Sequence, residues 1–376
     1  MKVLHLSKYY KPFSGGIEQV VADLCEGGNS KNIRSDVLAI SHEKKNKTYT
    51  INGVNVYSLK SNFKYASTDF SIGYISKLRN IIQEYDIIHV HLPNPLANLA
   101  LFLANSKNTK IIIHWHSDIV KQKKLKFFYK PLQTWLLKKA CSIITTTPIY
   151  GDYSEDLFDY KDKITAIPIG INPYNYSINT ETISEIKEKY VNKKIIFSLG
   201  RLVYYKGFEY LVEACAKLPD NYVVLLGGNG EEKFKLIKKI EQLNLQDKFV
   251  LLGFVEDSDL PSYFAACDAF CLPSIEKSEA FGVVQLESFL FNKPVVSCNI
   301  PGSGVSWVNQ NNISGITVEP KNSDKLASAL ILATQETTVF PNLKKYFNEN
   351  FSADVMVSRT IRLYNKLNKS NHNVKS

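Results

Sequence analysis

The chain has 376 residues, 44% of them hydrophobic and 22% charged, and a formal net charge of +10. That length suits two domains of ordinary size, and that balance excludes a disordered, fibrous or collagen-like chain. No run of about 18 apolar residues occurs and the opening residues lead into a strand pattern rather than a signal peptide, so a cytoplasmic globular enzyme is expected. The charge is unevenly spread: residues 1–170 hold 23 Lys and Arg against 14 Asp and Glu, whereas the remainder holds 23 against 22. Such a bias fits a surface that meets nucleic acid, an anionic membrane or a phosphorylated substrate. Cys25, Cys141, Cys215, Cys267, Cys271 and Cys298 are scattered. Cys267 and Cys271 share a segment, but no second pair or histidine completes a zinc set, so these thiols are expected to fill core positions in a reducing compartment.

Lys2 to Leu6 reads as a buried opening strand, followed by Ser14-Gly15-Gly16 and a helical pattern with Ile17, Val21 and Leu24 on one face. Further strands are predicted at 86–91, 110–115, 142–147 and 164–168, with helices over 72–84 and 125–140 between them. Apolar strands alternating with helices predict a mostly parallel sheet covered on both faces. Ile169-Gly170-Ile171-Asn172-Pro173 punctuates the order and a polar stretch, 174–193, follows. A second alternating series then begins at 194–199, with strands at 222–226, 249–252, 269–272 and 295–298 and helices over 207–217, 231–243, 259–266 and 283–291. The expected organisation is a first α/β domain over 1–173, a second over 174–352, and a final segment, 353–376. Its helix, 353–367, crosses back to the first domain and ends in a frayed tail. The cleft between two such domains is the default ligand site.

Neither half carries a dinucleotide fingerprint. Gly15-Gly16 lacks the later glycine, and Gly227-Gly228-x-Gly230 has no acidic partner, which argues against a cofactor-dependent epimerase. Gly15 and Gly16 sit in a strand-to-helix turn where a ligand can approach bare backbone; Gly227, Gly228 and Gly230 read as turn residues.

Three stretches carry chemistry. In Gly200-Arg201-Leu202-Val203-Tyr204-Tyr205-Lys206-Gly207, which follows a strand, Arg201 offers a planar fork of donors and Lys206 a mobile point charge. Together they can hold a diphosphate and offset the charge that grows on it as a glycosyl bond breaks. In Glu279-Ala280-Phe281-Gly282-Val283-Val284-Gln285-Leu286-Glu287, Glu279 lies in the approach to a helix and Glu287 about one turn inside it. Glu279 is suited to donor-sugar hydroxyls and Glu287 to ribose hydroxyls, across a helix start that can receive an anion. Using the two as a glycosidase pair leaves Arg201 and Lys206 unexplained. In the 110–118 stretch, His116 is the histidine nearest the strand end. It can donate to a sugar hydroxyl, with Asp118 placed to fix its tautomer, while His114, His89 and His91 read as packed side chains. Their even spacing is that of strand geometry, and no catalytic metal is expected.

Taken together, these features resemble the retaining glycosyltransferases of the GT-B class, family four. The resemblance covers nearly the whole chain and implies two facing Rossmann-like domains with parallel sheets and an interdomain cleft. It implies that Gly15-Gly16 is the glycine loop, His116 the cleft histidine, Arg201 and Lys206 the diphosphate pair, and Glu279 with Glu287 the two-glutamate signature. It further implies metal-independent transfer with retained anomeric configuration, and no cofactor beyond the donor itself. Tyr9-Tyr10-Lys11-Pro12 and His114-Trp115-His116-Ser117-Asp118 are similar to bacterial enzymes that build O-antigen or capsule, many of which use GDP-mannose.

On this basis His116, Arg201, Lys206 and Glu279 are the expected catalytic residues. The donor lies against Gly15, Gly16, Arg201, Lys206, Glu279 and Glu287, with its base near Gly253, Phe254 and Val255. The acceptor is expected to be a lipid-linked saccharide. Residues 119–139 interleave Val120, Leu125, Phe127, Phe128, Leu132, Trp135 and Leu136 with Lys121, Lys123, Lys124, Lys126, Lys130, Lys138 and Lys139 around Pro131. Such a stretch can lie on the anionic inner face of the cytoplasmic membrane, or be an ordinary helix whose apolar side faces the sheet. No nucleic-acid recognition module is present. The competing readings are a non-catalytic glycan-binding protein, separated by donor turnover, and a transferase of the same fold that uses a UDP-sugar.

Overall fold

The computed structural model describes residues 1–13, 15–43, 45–65, 68–104, 109–118 and 123–369, with the backbone alone at 123–126. Ser14, residues 119–122 with Val120 and Lys121, the side chains of Lys123, Lys124, Leu125 and Lys126, and the tail from Ser370 lie outside the described residues. The chain divides into two compact units: Met1–Gly170 with the chain from Ala353 onward, and Ile171–Ser352.

The first unit holds an eight-stranded sheet and a small hairpin. Its strands are β1 (Lys2–Leu6), β2 (Arg34–Ser41), β3 (Lys47–Ile51), β4 (Val54–Lys60), β7 (Ile87–Leu92), β8 (Lys110–Trp115), β9 (Ser142–Thr145) and β10 (Ile164–Ala166); β5 (Phe63–Tyr65) and β6 (Thr68–Phe70) form the hairpin. The order is β10-β9-β8-β7-β1-β2-β4-β3, parallel except for β3. Val3, Leu4 and Leu6 on β1 and Ile111, Ile112 and Ile113 on β8 are fully buried, as contiguous apolar runs require of strands covered on both faces.

Among the elements here that the sequence reading left unassigned are β2 and the helix Pro95–Leu103. β2 carries Asp36, which is buried by accepting hydrogen bonds from Tyr85 Oη at 2.8 Å and Asn55 Nδ2 at 3.1 Å. The helix Pro95–Leu103 starts with Asn94 Oδ1 accepting from the Ala97 N–H at 3.1 Å. The helix Ala353–Lys369 packs Met356, Val357, Thr360, Leu363 and Tyr364 onto this unit. Val357 fills the space that a Cβ at Gly27 would need, 2.7 Å from its methyl, and Lys31 pairs with Asp354 at 2.7 Å.

The second unit holds an all-parallel sheet of β11 (Lys194–Leu199), β12 (Tyr222–Gly227), β13 (Phe249–Gly253), β14 (Ala269–Leu272), β15 (Val295–Cys298) and β16 (Gly315–Val318). Its order is β13-β12-β11-β14-β15-β16, so the chain reverses its direction of growth between β11 and β14. Open sheets of this kind bind ligands outside the carboxyl ends of the strands at that point. In the first unit the corresponding reversal lies between β1 and β7.

The polar stretch 174–193 contains a helix, Thr180–Lys189, which the sequence pattern left without an element. Asn179 Oδ1 accepts from the Glu181 N–H at 2.9 Å and the Thr182 N–H at 3.3 Å, and Ile186 is its one buried residue. A helix that buries a single side chain leaves almost no periodic signal.

Candidate functional site

The loop after β11 is bent by close backbone approach. Its Gly200 N–H donates to the Gly227 carbonyl at 3.1 Å and its Leu202 N–H to the Asn229 carbonyl at 2.9 Å. Gly228 has φ +132°, and a Cβ there would fall 1.9 Å from the Gly200 oxygen. These glycines therefore do more than turn the chain: Gly228 lets the end of β12 press against the loop that carries Arg201. Leu202 is buried beneath the loop while Arg201 is exposed, with no ion pair among the described residues.

Lys206 closes a short helical turn, Tyr204–Lys206, and Gly207 follows with φ +67°. The loop after β14 meets it there, with the Ile275 N–H donating to the Tyr205 carbonyl at 2.8 Å. This contact brings Lys206 Nζ to 2.6 Å from Glu279 Oε2, and the same oxygen accepts from Ser274 Oγ at 2.8 Å. Both charged side chains are mostly buried, 13% and 11% exposed. The Ser303 hydroxyl donates to the Glu279 carbonyl, fixing the loop from the other side. Lys206 is thus a paired, positioned cation rather than a mobile one. Removal of either partner leaves the other charge desolvated.

Glu287 lies on the first turn of the helix Val284–Leu290 and accepts from Tyr176 Oη at 2.9 Å. Glu279 and Glu287 therefore make different contacts, one to an ammonium and one to a phenol. Burial pushes the Glu287 carboxyl up to about 7, with the Tyr176 hydrogen bond opposing and the Asp257 charge adding to the rise. The folded protein holds this proton to about pH 7, whereas the unfolded chain releases it near 4.5. The group's contribution to stability is complete below pH 4.5 and is lost as the pH rises through 7. Glu287→Gln keeps an acceptor for Tyr176 without the titration. Its thermal midpoint, relative to the unaltered protein, should rise by about 5 °C between pH 5 and pH 8. Parallel pH profiles of the two proteins would disprove the assignment. Phe254 is exposed and Val255 half-buried just past β13, next to the Gly227–Gly228 backbone, where the Gly228 N–H donates to the Gly253 carbonyl at 2.6 Å.

In the first unit Gly16 opens the helix Gly16–Asn29, and among the described residues nothing lies within 4 Å of where its Cβ would stand. A Cβ on Gly15 would meet the movable Glu18 carboxylate at 2.4 Å and the edge of the Phe13 ring at 3.7 Å. His116 follows β8 and is tied to β7 by its N–H, which donates to the Leu92 carbonyl at 3.1 Å. Asp118, expected to fix the tautomer of His116, makes no hydrogen bond to it among the described residues. The Asp118 carboxylate accepts from Trp115 Nε1 at 2.9 Å and Ser154 Oγ at 2.7 Å, while His116 Nε2 meets His91 Nδ1 at 3.0 Å.

His5, His89, His91, His114 and His116 form one buried group, because β1, β7 and β8 are neighbours in register: His5 lies beside His89 and His91 beside His114. His5 was not singled out in the sequence, and a histidine in the opening strand was the available signal. The trios His5–His89–His91 and His91–His114–His116 bring ring nitrogens within 4.8 Å of one another, close enough to raise the question of a metal. Their rings do not converge: His114 and His116 stack at 4.1 Å and 9°, and His89 and His91 at 4.6 Å and 17°. Lone pairs lie in the ring planes, so in these orientations the stacked rings do not aim their nitrogens at one point.

Residues 14–174 match the family model described as Glycosyltransferase Family 4, and residues 179–352 match that described as Glycosyl transferases group 1. The chain is 33% identical over 374 residues to O-antigen chain mannosyltransferase C of Escherichia coli, covering 98% of this chain and 99% of that one. It is 31% identical over 332 residues to D-rhamnosyltransferase WbpZ of Pseudomonas aeruginosa, covering 88% and 86%. Among solved structures, Anabaena HepE in complex with UDP and glucose superposes with a TM-score of 0.75 at 20% identity, over 97% of this chain and 100% of that one. Sucrose-phosphate synthase from Thermosynechococcus elongatus does so with a TM-score of 0.78 at 18% identity, over 98% and 99%. The chain therefore belongs to the family 4, group 1 glycosyltransferases, enzymes of the GT-B fold with two Rossmann-like α/β domains.

Proposed function

We propose that this enzyme is a retaining transferase that moves mannose from GDP-mannose onto a lipid-linked saccharide during O-antigen or related polysaccharide assembly. The observation that carries this reading is the end-to-end similarity to an O-antigen chain mannosyltransferase. The similarity to a D-rhamnosyltransferase adds support, because D-rhamnose is 6-deoxymannose and presents the same hydroxyl orientations at C2 to C4.

The second unit supplies the donor site. Arg201 and Lys206 hold the diphosphate, Glu279 accepts from the sugar hydroxyls beside its Lys206 contact, Glu287 accepts from the ribose, and the base rests near Phe254 and Val255. The exposed, unpaired Arg201 beside the buried Lys206–Glu279 pair fits that role: one cation is free to meet an anion and the other is held in place by a carboxylate. The acceptor approaches Gly15, Gly16 and His116 on the first unit. As the glycosyl bond breaks, the leaving phosphate takes the acceptor's proton, so the transfer needs no residue as covalent nucleophile and no metal.

Transfer from a panel of GDP-mannose, GDP-D-rhamnose, UDP-glucose and UDP-N-acetylglucosamine to lipid-linked acceptors tests this directly. The expected outcome is turnover with GDP-mannose and an α-linked product by NMR. A β-linked product excludes retention, and preference for a UDP-sugar excludes the donor. Binding of a glycan with no donor consumed by any of the four returns the protein to the carbohydrate-binding class.

The same reading puts the enzyme at a membrane surface. In the helix Lys123–Lys139, Phe127 and Phe128 are 74% and 79% exposed, whereas Leu136 and Leu137 are buried. The later part packs on the helix Pro95–Leu103, where Phe102 and Trp135 meet edge to face at 5.1 Å. Exposed aromatics beside lysines suit the interface of an anionic bilayer, and among the described residues no helix is long and apolar enough to cross one. Sedimentation with phosphatidylglycerol vesicles should recover the protein, and Phe127→Ser with Phe128→Ser should weaken that binding at least about 10-fold. Equal absence from anionic and neutral vesicles would remove peripheral attachment.

A further inference from the structure

His5, His91 and His116 are joined end to end. His5 Nδ1 lies 3.1 Å from His91 Nε2, and His91 Nδ1 lies 3.0 Å from His116 Nε2. The ring centroids of these pairs are 5.4 and 5.3 Å apart, with interplanar angles of 22° and 20°. In both pairs the centroid separation exceeds the N···N distance by 2.3 Å, twice the radius of an imidazole. The nitrogens therefore lie almost on the line between rings, the geometry of an in-plane hydrogen bond. His89 and His114 stand outside this line: His89 Nδ1 meets Tyr364 Oη at 2.5 Å, and both His114 nitrogens are buried without a partner among the described residues.

We propose that His5 and His91 are positioning residues that lock His116 in its Nδ1–H tautomer, making it a fixed neutral hydrogen-bond donor to an oxygen of the bound saccharide acceptor. Burial holds all three imidazoles far below their usual range, to about 3 for His5 and His116, so each is neutral and carries one proton. A neutral imidazole donates through one nitrogen and accepts through the other, so two linked hydrogen bonds allow only two arrangements. In one, every Nε2 carries the proton. His5 Nε2, which is buried with no partner among the described residues, would then be an orphaned N–H. In the other, every Nδ1 carries it and His5 Nε2 is only an unused lone pair. Buried N–H groups are left unpaired less often than buried acceptors, which selects the second arrangement.

The His5 Nδ1–H then donates to His91 Nε2 and the His91 Nδ1–H donates to His116 Nε2. His116 Nδ1–H is left uncommitted on a residue that is 7% exposed. Flipping His116 alone would set two lone pairs or two protons against each other, so the chain resists flipping as a unit. Neutral His116 with its proton outward donates to substrate oxygen and takes no proton from it, consistent with the leaving phosphate as the base.

This inference rests on the reading of His116 as a residue that touches substrate, and its test separates the two. Long-range 15N–1H correlation spectra of the full-length, 15N-histidine-labelled protein report each tautomer without any ligand. The expected result at pH 7 is the Nδ1–H form for His5, His91 and His116. His91→Phe keeps ring volume and stacking but removes both nitrogens. It should move His116 toward the Nε2–H form favoured by free histidine and lower kcat about 10-fold, with KM for GDP-mannose changed less than about twofold. His114→Phe should alter neither tautomer nor rate. If His91→Phe does not fold, His5→Phe breaks the chain at its far end and should release the His91 tautomer instead.

An Nε2–H or imidazolium form at any of the three positions overturns the proposal, as does a His116 tautomer indifferent to His91→Phe. One equivalent of metal in the purified protein would do the same, since the rings would then be ligands. Unchanged transfer in His116→Phe, with the tautomers as expected, would instead remove the substrate role of His116 and leave the chain standing.

Discussion

Lys206→Ala should lower transfer by about 10²-fold or more and also lower the thermal midpoint, whereas Arg201→Ala should lower transfer by a similar factor and leave the midpoint unchanged. The contrast follows from the two environments. Arg201 is exposed and unpaired, so its loss costs the folded apo protein almost nothing and is felt only when a diphosphate must be held and its growing charge offset. Lys206 is mostly buried against Glu279 at 2.6 Å, so its loss strands a carboxylate with Ser274 as its remaining partner. Breaking a buried pair in this way costs about 3 kcal/mol. Glu279→Gln keeps an acceptor for both partners and should destabilise less than Lys206→Ala. In the double variant the stability penalties should be far from additive, because both report one interaction. Initial rates with GDP-mannose and scanning calorimetry measure both quantities. Full transfer activity in Arg201→Ala and Lys206→Ala would sink the diphosphate assignment, and an unchanged midpoint in Lys206→Ala would sink the buried pair.

Gly207→Ala should be more damaging than its size implies. Gly207 sits at φ +67°, and a Cβ there would fall 2.2 Å from the Pro273 oxygen and 2.9 Å from Ile275 Cγ2. A backbone carbonyl cannot rotate away as a side chain can, so the β11 and β14 loops must separate. Lys206 and Glu279 are carried by those two loops, and their ion pair opens with them. The expected cost is about 3 kcal/mol or more of stability, with transfer reduced at least as far as in Lys206→Ala. Gly53→Ala is the control: its φ is +76°, but its Cβ would meet only Asn29 Nδ2, at 3.7 Å. Strain alone then costs about 1–2 kcal/mol. Equal midpoints for the two variants would show that the contact with Pro273 carries no weight.

Much of the framework was legible because a parallel strand covered on both faces reads as an uninterrupted apolar run. Lys110–Trp115, Lys194–Leu199, Ala269–Leu272 and Val295–Cys298 lie where those runs predicted. Arg34–Ser41 did not stand out, because Asp36 interrupts its apolar face and becomes tolerable only through Tyr85 and Asn55. Thr180–Lys189 was hidden for the opposite reason, having one buried residue to mark its period. Among the site candidates, the loop with Arg201 and Lys206 follows β11 and the segment with Glu279 follows β14, and sequence could order them along the chain. Sequence did not reveal Ser274 and Lys206 sharing one oxygen of Glu279, Tyr176 beneath Glu287, or Gly228 supporting the Arg201 loop.

Taken alone, the sequence determined two α/β series, their parallel character, the excess of positive charge in residues 1–170 and the spacing of Glu279 and Glu287. These are properties of period and composition, which a one-dimensional string carries in full. Tertiary structure alone decided which polar groups meet: His5 with His91 across 86 positions, Tyr176 with Glu287 across 111, and Lys206 with Glu279. A hydrogen bond is made or lost within a fraction of an ångström, and that distance is set by strand register and crossover packing between segments remote in the chain. The sequence pattern therefore supplied candidate residues, and the fold supplied the partners that give each one its protonation state, its charge balance and its direction.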